Sequence, residues 1–462
     1  MERINGKSGV YIIGMTDCGE AVCAAAGRIS TQQGTSLEIF DRSADKEKNA
    51  SLICKVTKSG HTSTVEHVFF NLAFENVSVA VEQFMIEFRL ASFTVKSRRY
   101  VDFSDCGYLV PEFNNDTVTS EYKAHMNMLF NEYNAFVESG VPKEDARFLL
   151  PYCFFSNFYC SLNGRELLLV LKRMLYGRES ANPEIYTLGK QLLEQAQKLA
   201  PGMLDEFEAR APKMSDEADI ELVFDADRTE KADSLAELVS FTPDAAKAVA
   251  LSYLIGCGKY PTKEYELAAD KNNRDRIISA VMNSTRQRSL EAATFTFKLN
   301  NVSLSCITHF ARHRMQSIII PALSCAKRDN YIIPETIAEN KDLLNRYVAA
   351  FTKNTEFYNK LKAMGYAESI LVFCLLSGNT LDIVTTMNAR ELLLFFKLRA
   401  CNRAQWEIRA YAAEMLRLLR ANSPELFRYY GPSCCVGTCP EGRLTCGKSA
   451  EMKALYAFEN TD

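Results

Sequence analysis

No stretch of this chain approaches the roughly 18 to 20 consecutive apolar residues that a membrane-spanning helix requires, so a transmembrane role is not expected. An excess of charge of one sign is missing too. The formal net charge is -3, too small for the general electrostatic attraction that draws proteins to nucleic acid or anionic membranes. The segment Met1 to Gly14 lacks the charged leader and long apolar stretch of a secretion signal. Cysteine, by contrast, is plentiful at fifteen. Without an export signal these read as reduced thiols in a cytoplasm, not as a disulfide scaffold. Cys23, Cys153 and Cys306 lie among apolar neighbours, as buried packing residues do.

What the chain does contain is itself, twice. A shift of 225 positions aligns Asn76-Val77-Ser78 with Asn301-Val302-Ser303 and Arg89-Leu90-Ala91-Ser92 with Arg314-Met315-Gln316-Ser317. The same shift aligns Asn163-Gly164-Arg165-Glu166-Leu167-Leu168-Leu169 with Asn388-Ala389-Arg390-Glu391-Leu392-Leu393-Leu394. One offset held over so long a span indicates duplication. The 462 residues, 47% hydrophobic and 24% charged, suit two globular repeats of about 200 residues each.

The expected boundaries are a first repeat over 1–207, a linker over 208–219, a second repeat over 220–430 and a cysteine-rich tail over 431–462. Each repeat reads as a strand, a helix, alternating apolar strands and then a helical half. The second repeat is expected to restart with Ile220-Glu221-Leu222-Val223, mirroring Val10-Tyr11-Ile12-Ile13. The early helices are placed at Glu20 to Ser30 and Glu230 to Ser240, and the clearest strands at Val68 to Leu72 and Ala293 to Phe297. The late helices fall at Glu166 to Leu175, Pro183 to Leu199, Arg390 to Arg399 and Trp406 to Arg420. Segregated strands and helices imply an α+β fold: two homologous repeats, each an antiparallel sheet with flanking helices, docked as a pseudo-dimer.

Chemistry concentrates in one place per repeat. Ser92-Phe93-Thr94-Val95-Lys96-Ser97-Arg98-Arg99-Tyr100 carries cations and hydroxyls suited to a phosphate. On its own it reads first as a solvated basic strand end. Its counterpart runs Arg312-His313-Arg314-Met315-Gln316-Ser317-Ile318-Ile319-Ile320-Pro321-Ala322, where Arg-His-Arg would suit an anionic cofactor. The first repeat has Glu87-Phe88-Arg89 in place of Arg-His-Arg, and the second has Ala322-Leu323-Ser324-Cys325 in place of Ser97-Arg98-Arg99-Tyr100.

Joined, the two halves spell Arg-His-Arg-x-x-Ser-x-x-x-x-Ser-x-Arg-Tyr, which resembles the signature of the flavin-dependent thymidylate synthases. His61-Thr62-Ser63-Thr64-Val65-Glu66-His67 is similar to that family's segment before its first long strand. Asn388-Ala389-Arg390-Glu391-Leu392-Leu393, with Arg399 and Ala404-Gln405-Trp406-Glu407-Ile408-Arg409, resembles its C-terminal helix pair. The resemblance implies reductive methylation of deoxyuridylate (dUMP) to thymidylate, with FAD as cofactor and methylenetetrahydrofolate and NADPH as co-substrates. It also implies a homotetramer with sites between subunits, which a homodimer of this duplicated chain would imitate.

Residue by residue, the resemblance assigns the 5'-phosphate to Arg99 and Arg147, with Ser97, Lys96 and Arg98 in the same nucleotide-binding cluster and Arg312 on the partner side. It assigns stabilisation of negative charge on the pyrimidine to Arg399, the catalytic arginine. It assigns flavin to Arg312, His313, Arg314, Asn388 and Arg390, and, from the first repeat, to His61, Ser63, Glu66, Asn163 and Arg165. Met174 stands where the second repeat has Arg399, and an apolar or acidic stretch (Glu368 to Val372) stands where the first has Arg147. Random decay would scatter losses over both sides of a site. Complementary losses imply one composite site per chain, built from both repeats. The sequence departs from the family at Thr94-Val95, where a polar pair is common, and at Leu394. The first departure leaves open another pyrimidine nucleotide as substrate. A silent flavin- or nucleotide-binding regulator is the alternative of another class.

The tail is a separate signal. Cys434, Cys435, Cys439 and Cys446 lie in a Gly/Pro-containing segment whose thiols could hold zinc or an iron–sulfur cluster, although the spacing is not that of paired C-x-x-C motifs.

Overall fold

The computed structural model describes residues 7–210 and 234–458. They fall into two compact units, Met1–Asp225 with Ile332–Asn379, and Ala226–Tyr331 with Thr380–Asp462. No helix among the described residues is long and apolar enough to cross a membrane.

In the first unit β1 (Gly9–Met15), β2 (Phe69–Ser78), β3 (Ser92–Val95) and β4 (Phe155–Asn163) form an antiparallel sheet in the order β1-β2-β4-β3. Period-two alternation sets its faces: Phe70, Leu72 and Phe74 are buried while Phe69 is exposed. The helices Gly164–Tyr176 and Pro183–Leu199 cover the buried face with Leu167, Val170, Leu171, Leu188 and Leu192.

The second unit repeats this plan. β5 (Ala236–Phe241), β6 (Thr294–Ser303), β7 (Gln316–Ile319) and β9 (Asn379–Asn388) follow the order β5-β6-β9-β7, and β8 (Lys327–Tyr331) pairs with β9. The 225-residue offset survives in the register. Phe69 pairs with Asn163 as Thr294 pairs with Asn388, and Ser92 pairs with Ser161 as Ser317 pairs with Thr386. Both long strands shift register in front of Val77 and Val302. There Asn76 and Asn301 take positive φ, 48° and 56°, a conformation asparagine tolerates better than most residues. Ser78 and Ser303 then cap the next helix from each bulge.

The early strand of the second repeat lies later than the sequence reading placed it. Ile220–Val223 and residues 230–233 lie outside the described residues, but Ala236–Phe241, inside the expected Glu230 to Ser240 helix, is strand β5. The early helix follows at Ala245–Cys257. Pairing of Glu237 and Leu238 with Lys298 and Phe297 decides the matter, and a long-range partner is invisible to local propensity. The other helices stand close to their expected bounds, with Pro183–Leu199 matching at both ends.

Two 23-residue helices, Asp116–Glu138 and Lys341–Ala363, went unread in the sequence. Asn115 and Asn340 cap their starts, and Gly140 and Gly365, both at φ 86°, end them in the left-handed turn that glycine permits. Both belong to the first unit and run antiparallel, with Glu121 paired to Lys360, His125 to Asn354 and Glu132 to Arg346. Beside them Tyr152 N–H donates to the Leu375 carbonyl at 2.7 Å, and Ser377 N–H donates to the Leu150 carbonyl at 3.0 Å. Those four residues are two pairs of counterparts at the same offset. Inside this unit these counterpart segments therefore bond to one another reciprocally, as self-complementary patches do.

Candidate functional site

In the first unit a turn follows β3. Its Ser97 Oγ accepts from Arg99 N–H at 3.4 Å, and the Ser97 carbonyl accepts from Val101 N–H at 2.9 Å. Arg99 Nη2 lies 3.1 Å from a Glu144 carboxylate oxygen, and Arg147 Nε donates to the Glu144 backbone carbonyl at 3.0 Å. Arg99 and Arg147, far apart in sequence, thus converge on one residue. The neighbouring cations separate. Lys96 is exposed, 6.0 Å from the Phe103 ring centroid. Arg98 is buried and ion-paired to Glu82.

Of the residues assigned to flavin in the first repeat, His61 and Ser63 are exposed. Glu66 accepts from Arg165 at 2.7 Å, and Asn163 caps the Gly164–Tyr176 helix through Glu166 N–H at 2.9 Å. The second repeat reproduces both contacts: Arg390 to Glu291 at 2.5 Å, and Asn388 to Glu391 N–H at 2.9 Å.

The second unit holds the most organised polar chain. His313 is buried between exposed Arg312 and Arg314. Its Nδ1 lies 2.9 Å from Glu391 Oε1, and Arg399 Nε donates to its Nε2 at 2.9 Å. An arginine nitrogen can only donate, so Nε2 accepts and the ring proton sits on Nδ1, directed at Glu391. Burial holds the His313 pKa below the ordinary 6.5; Glu391 opposes that shift and the Arg399 charge adds to it. Arg399 Nη2 also donates to the His309 carbonyl at 3.2 Å. The guanidinium leaves the end of the Ala389–Arg399 helix in a fixed orientation.

Glu391 was not singled out from the sequence. The available signal was its place three residues after the capping Asn388.

Beside this chain is a pocket of ≈ 390 Å³ lined by Gln287, Glu291, Met315, Asn388, Arg390, Glu391, Leu393, Leu394 and Lys397. Its charged lining is balanced, Arg390 paired to Glu291 and Lys397 beside Glu391, while a capped helix start and an apolar strip of Met315 and the leucines suit a cofactor with a flat apolar part. Leu394, the departure from the family pattern, contributes to the apolar strip.

At the corresponding place in the first unit Phe88 and Met174 are buried and no such polar chain can form. Glu87, the counterpart of Arg312, instead joins Arg173, Arg178 and Glu179. Arg173 and Arg178 both bind Glu179, at 2.5 and 2.9 Å. Burial, then repulsion from Glu179, pushes the Glu87 carboxyl up to about 7.

Among the described residues no group of three or more His, Cys, Asp or Glu could hold a metal ion. The expected zinc or iron–sulfur ligation by Cys434, Cys435, Cys439 and Cys446 is therefore not supported. Cys435 turns its thiol to the Met452 carbonyl at 3.4 Å, and Cys439 lies 3.8 Å from Thr445 Oγ1. Ser433 Oγ donates to the Lys397 carbonyl at 3.0 Å, tying the tail to the Ala389–Arg399 helix. Cys23, Cys153 and Cys306 are buried, as their apolar neighbours imply.

The family model for thymidylate synthase complementing proteins matches residues 12–202 and again 237–425. The flavin-dependent thymidylate synthase of Geobacter sulfurreducens is 34% identical over 223 residues, covering 47% of this chain and 96% of that protein. The one from Clostridium tetani is 31% identical over 238 residues, covering 48% and 96%. A crystal structure of the UMP/dUMP methylase PolB from Streptomyces cacaoi, bound with 5-Br dUMP, superposes with a TM-score of 0.40 at 22% identity, covering 45% of this chain and 97% of that one.

Proposed function

This chain belongs to the thymidylate synthase complementing protein family, the flavin-dependent thymidylate synthases, and from that premise we propose that it converts dUMP to thymidylate with FAD, methylenetetrahydrofolate and NADPH. The observation that carries the reading is complementary retention. The first repeat keeps Ser97, Arg99 and Arg147, with both arginines on Glu144. The second keeps Arg312, His313, Arg314 and Arg399, with Arg399 locked on His313. One composite site per chain, drawing on both repeats, accounts for both sets. A cytoplasmic homodimer, imitating a tetramer with half its sites, completes the proposal.

In this mechanism Arg99 and Arg147 grip the 5'-phosphate with Ser97 donating beside them, and Lys96 and Arg312 add positive charge at the nucleotide. Arg399, fixed by neutral His313, stabilises negative charge developing on the pyrimidine ring, and its orientation requires no rearrangement during reaction. Arg312, His313, Arg314, Asn388 and Arg390 hold the flavin on the side of the second repeat, and His61, Ser63, Glu66, Asn163 and Arg165 complete the binding set. The flavin supplies the hydride chemistry that no side chain here can provide.

Thr94 and Val95 favour a second reading, a different pyrimidine nucleotide as substrate, because a polar pair is common there in the family. The deciding experiment incubates purified protein with FAD, NADPH, methylenetetrahydrofolate and either dUMP or UMP, and detects the methylated nucleotide by mass spectrometry. Thymidylate supports the first reading and methylated UMP the second. Neither product, with flavin bound, leaves a silent binder.

A further inference from the structure

A buried charge is costly unless well paired, and apolar replacement of a whole buried ion pair is often neutral or stabilising. The first repeat nevertheless buries one. Arg98 Nη2 is ion-paired to Glu82, and the other Glu82 oxygen accepts from Ser156 Oγ at 2.5 Å. All three residues are buried. The Arg98 guanidinium also lies 5.7 Å from the Phe154 ring centroid, and its Nη1 is buried without a hydrogen-bond partner.

The second repeat shows what the fold itself needs at these places. At the same offset Glu82, Arg98 and Ser156 become Ile307, Leu323 and Leu381. The strand register confirms the match: Val77 pairs with Ser156 as Val302 pairs with Leu381. Ile307 and Leu381 are buried in a helix and strand of the same plan. The helix and strand positions of this plan therefore hold without the network, and Leu323 in place of Arg98 is only partly buried. The network is present in the repeat that keeps Ser97, Arg99 and Arg147, and it is lost as a set in the repeat that has Ala322, Ser324 and Val372 there.

We propose that Arg98, Glu82 and Ser156 are positioning residues: by anchoring the middle of the Ser97-Arg98-Arg99 turn beneath the surface, they aim Ser97 and Arg99 at the nucleotide phosphate. Arg98 is then no direct phosphate ligand. Its side chain points into the fold, while Ser97 and Arg99 on either side of it stay partly exposed. The inference rests on the assignment of Ser97 and Arg99 to the nucleotide.

The test transplants the second repeat's solution, Glu82→Ile with Arg98→Leu and Ser156→Leu, into the full chain. dUMP binding is measured by equilibrium dialysis, alongside thermal unfolding and flavin absorbance. The expected result is a folded, flavin-binding protein whose Kd for dUMP rises at least tenfold. Wild-type affinity in the folded triple variant overturns the proposal. Arg99→Ala runs beside it. If that variant also binds dUMP normally, the nucleotide assignment and the positioning role both fall; if it loses binding while the triple variant keeps it, only the positioning role falls. Should the triple variant fail to fold, Arg98→Lys keeps the charge but loses the planar fork. Its KM for dUMP should rise severalfold at nearly constant kcat and Tm. A fall in Tm with KM unchanged overturns the proposal.

Discussion

Arg399 Nε donates to His313 Nε2 at 2.9 Å, so the ring must be neutral and must present its other nitrogen to Glu391. One hydrogen bond thereby settles the tautomer of a buried histidine and the direction of a guanidinium. Replacing Arg399 by Ala should lower kcat at least 100-fold, the usual cost of losing an electrostatic stabiliser of a transition state, with flavin still bound. Arg399→Lys should recover little, since a lysine cannot reproduce the planar, off-axis donor. Steady-state kinetics with flavin absorbance checks both.

Glu391→Gln removes the charge that orients the imidazole without removing the helix cap, which uses Glu391 only through its backbone N–H. Turnover should fall roughly tenfold and stability by about 1.5–3 kcal/mol, the range for hydrogen bonds to charged groups. Chemical denaturation beside kinetics separates the two effects.

Protonation of His313 must break the Arg399 bond. The folded pKa lies below 6.5, so between that depressed value and 6.5 the unfolded chain binds a proton that the folded chain refuses. Stability from this group is thus fully present above pH 6.5 and is lost as the pH falls through the folded pKa. Activity should follow the same acid limb. An His313→Gln variant should lose the limb, and an unchanged pH profile in that variant would refute the assignment.

Glu87 behaves oppositely. Its carboxyl is raised to about 7 from 4.5, so its contribution to stability is complete below pH 4.5 and is lost as the pH rises to about 7. Glu87→Gln should stabilise the protein above pH 7 by on the order of 2 kcal/mol and leave turnover within about twofold of wild type, since Glu87 lies on the side that the composite-site proposal leaves without work. A large loss of activity would show that this side is used.

Arg99→Ala and Arg312→Ala should each abolish turnover, although they lie in different repeats. An equal mixture of the two variant chains checks where the halves meet. No recovery supports a site within one chain, whereas partial recovery, read by the same product assay, would assign the halves to different chains.

The duplication, the family and the complementary losses were legible in the linear order of residues, because each is a matter of identity at a fixed offset. So were helices such as Pro183–Leu199, where an apolar stripe and a start signal agree locally. Strand β5 was not legible, because its pairing with β6 is made across some 60 positions of chain and overrides local propensity. The Asp116–Glu138 and Lys341–Ala363 helices were equally obscure, each burying its apolar stripe partly against the other. At the site, sequence marked Lys96, Arg98 and Arg99 alike as one basic cluster. Only folding separated them, because strand and turn geometry sends successive side chains in different directions. Lys96 faces solvent, Arg98 goes to a buried glutamate, and Arg99 joins Arg147 on Glu144.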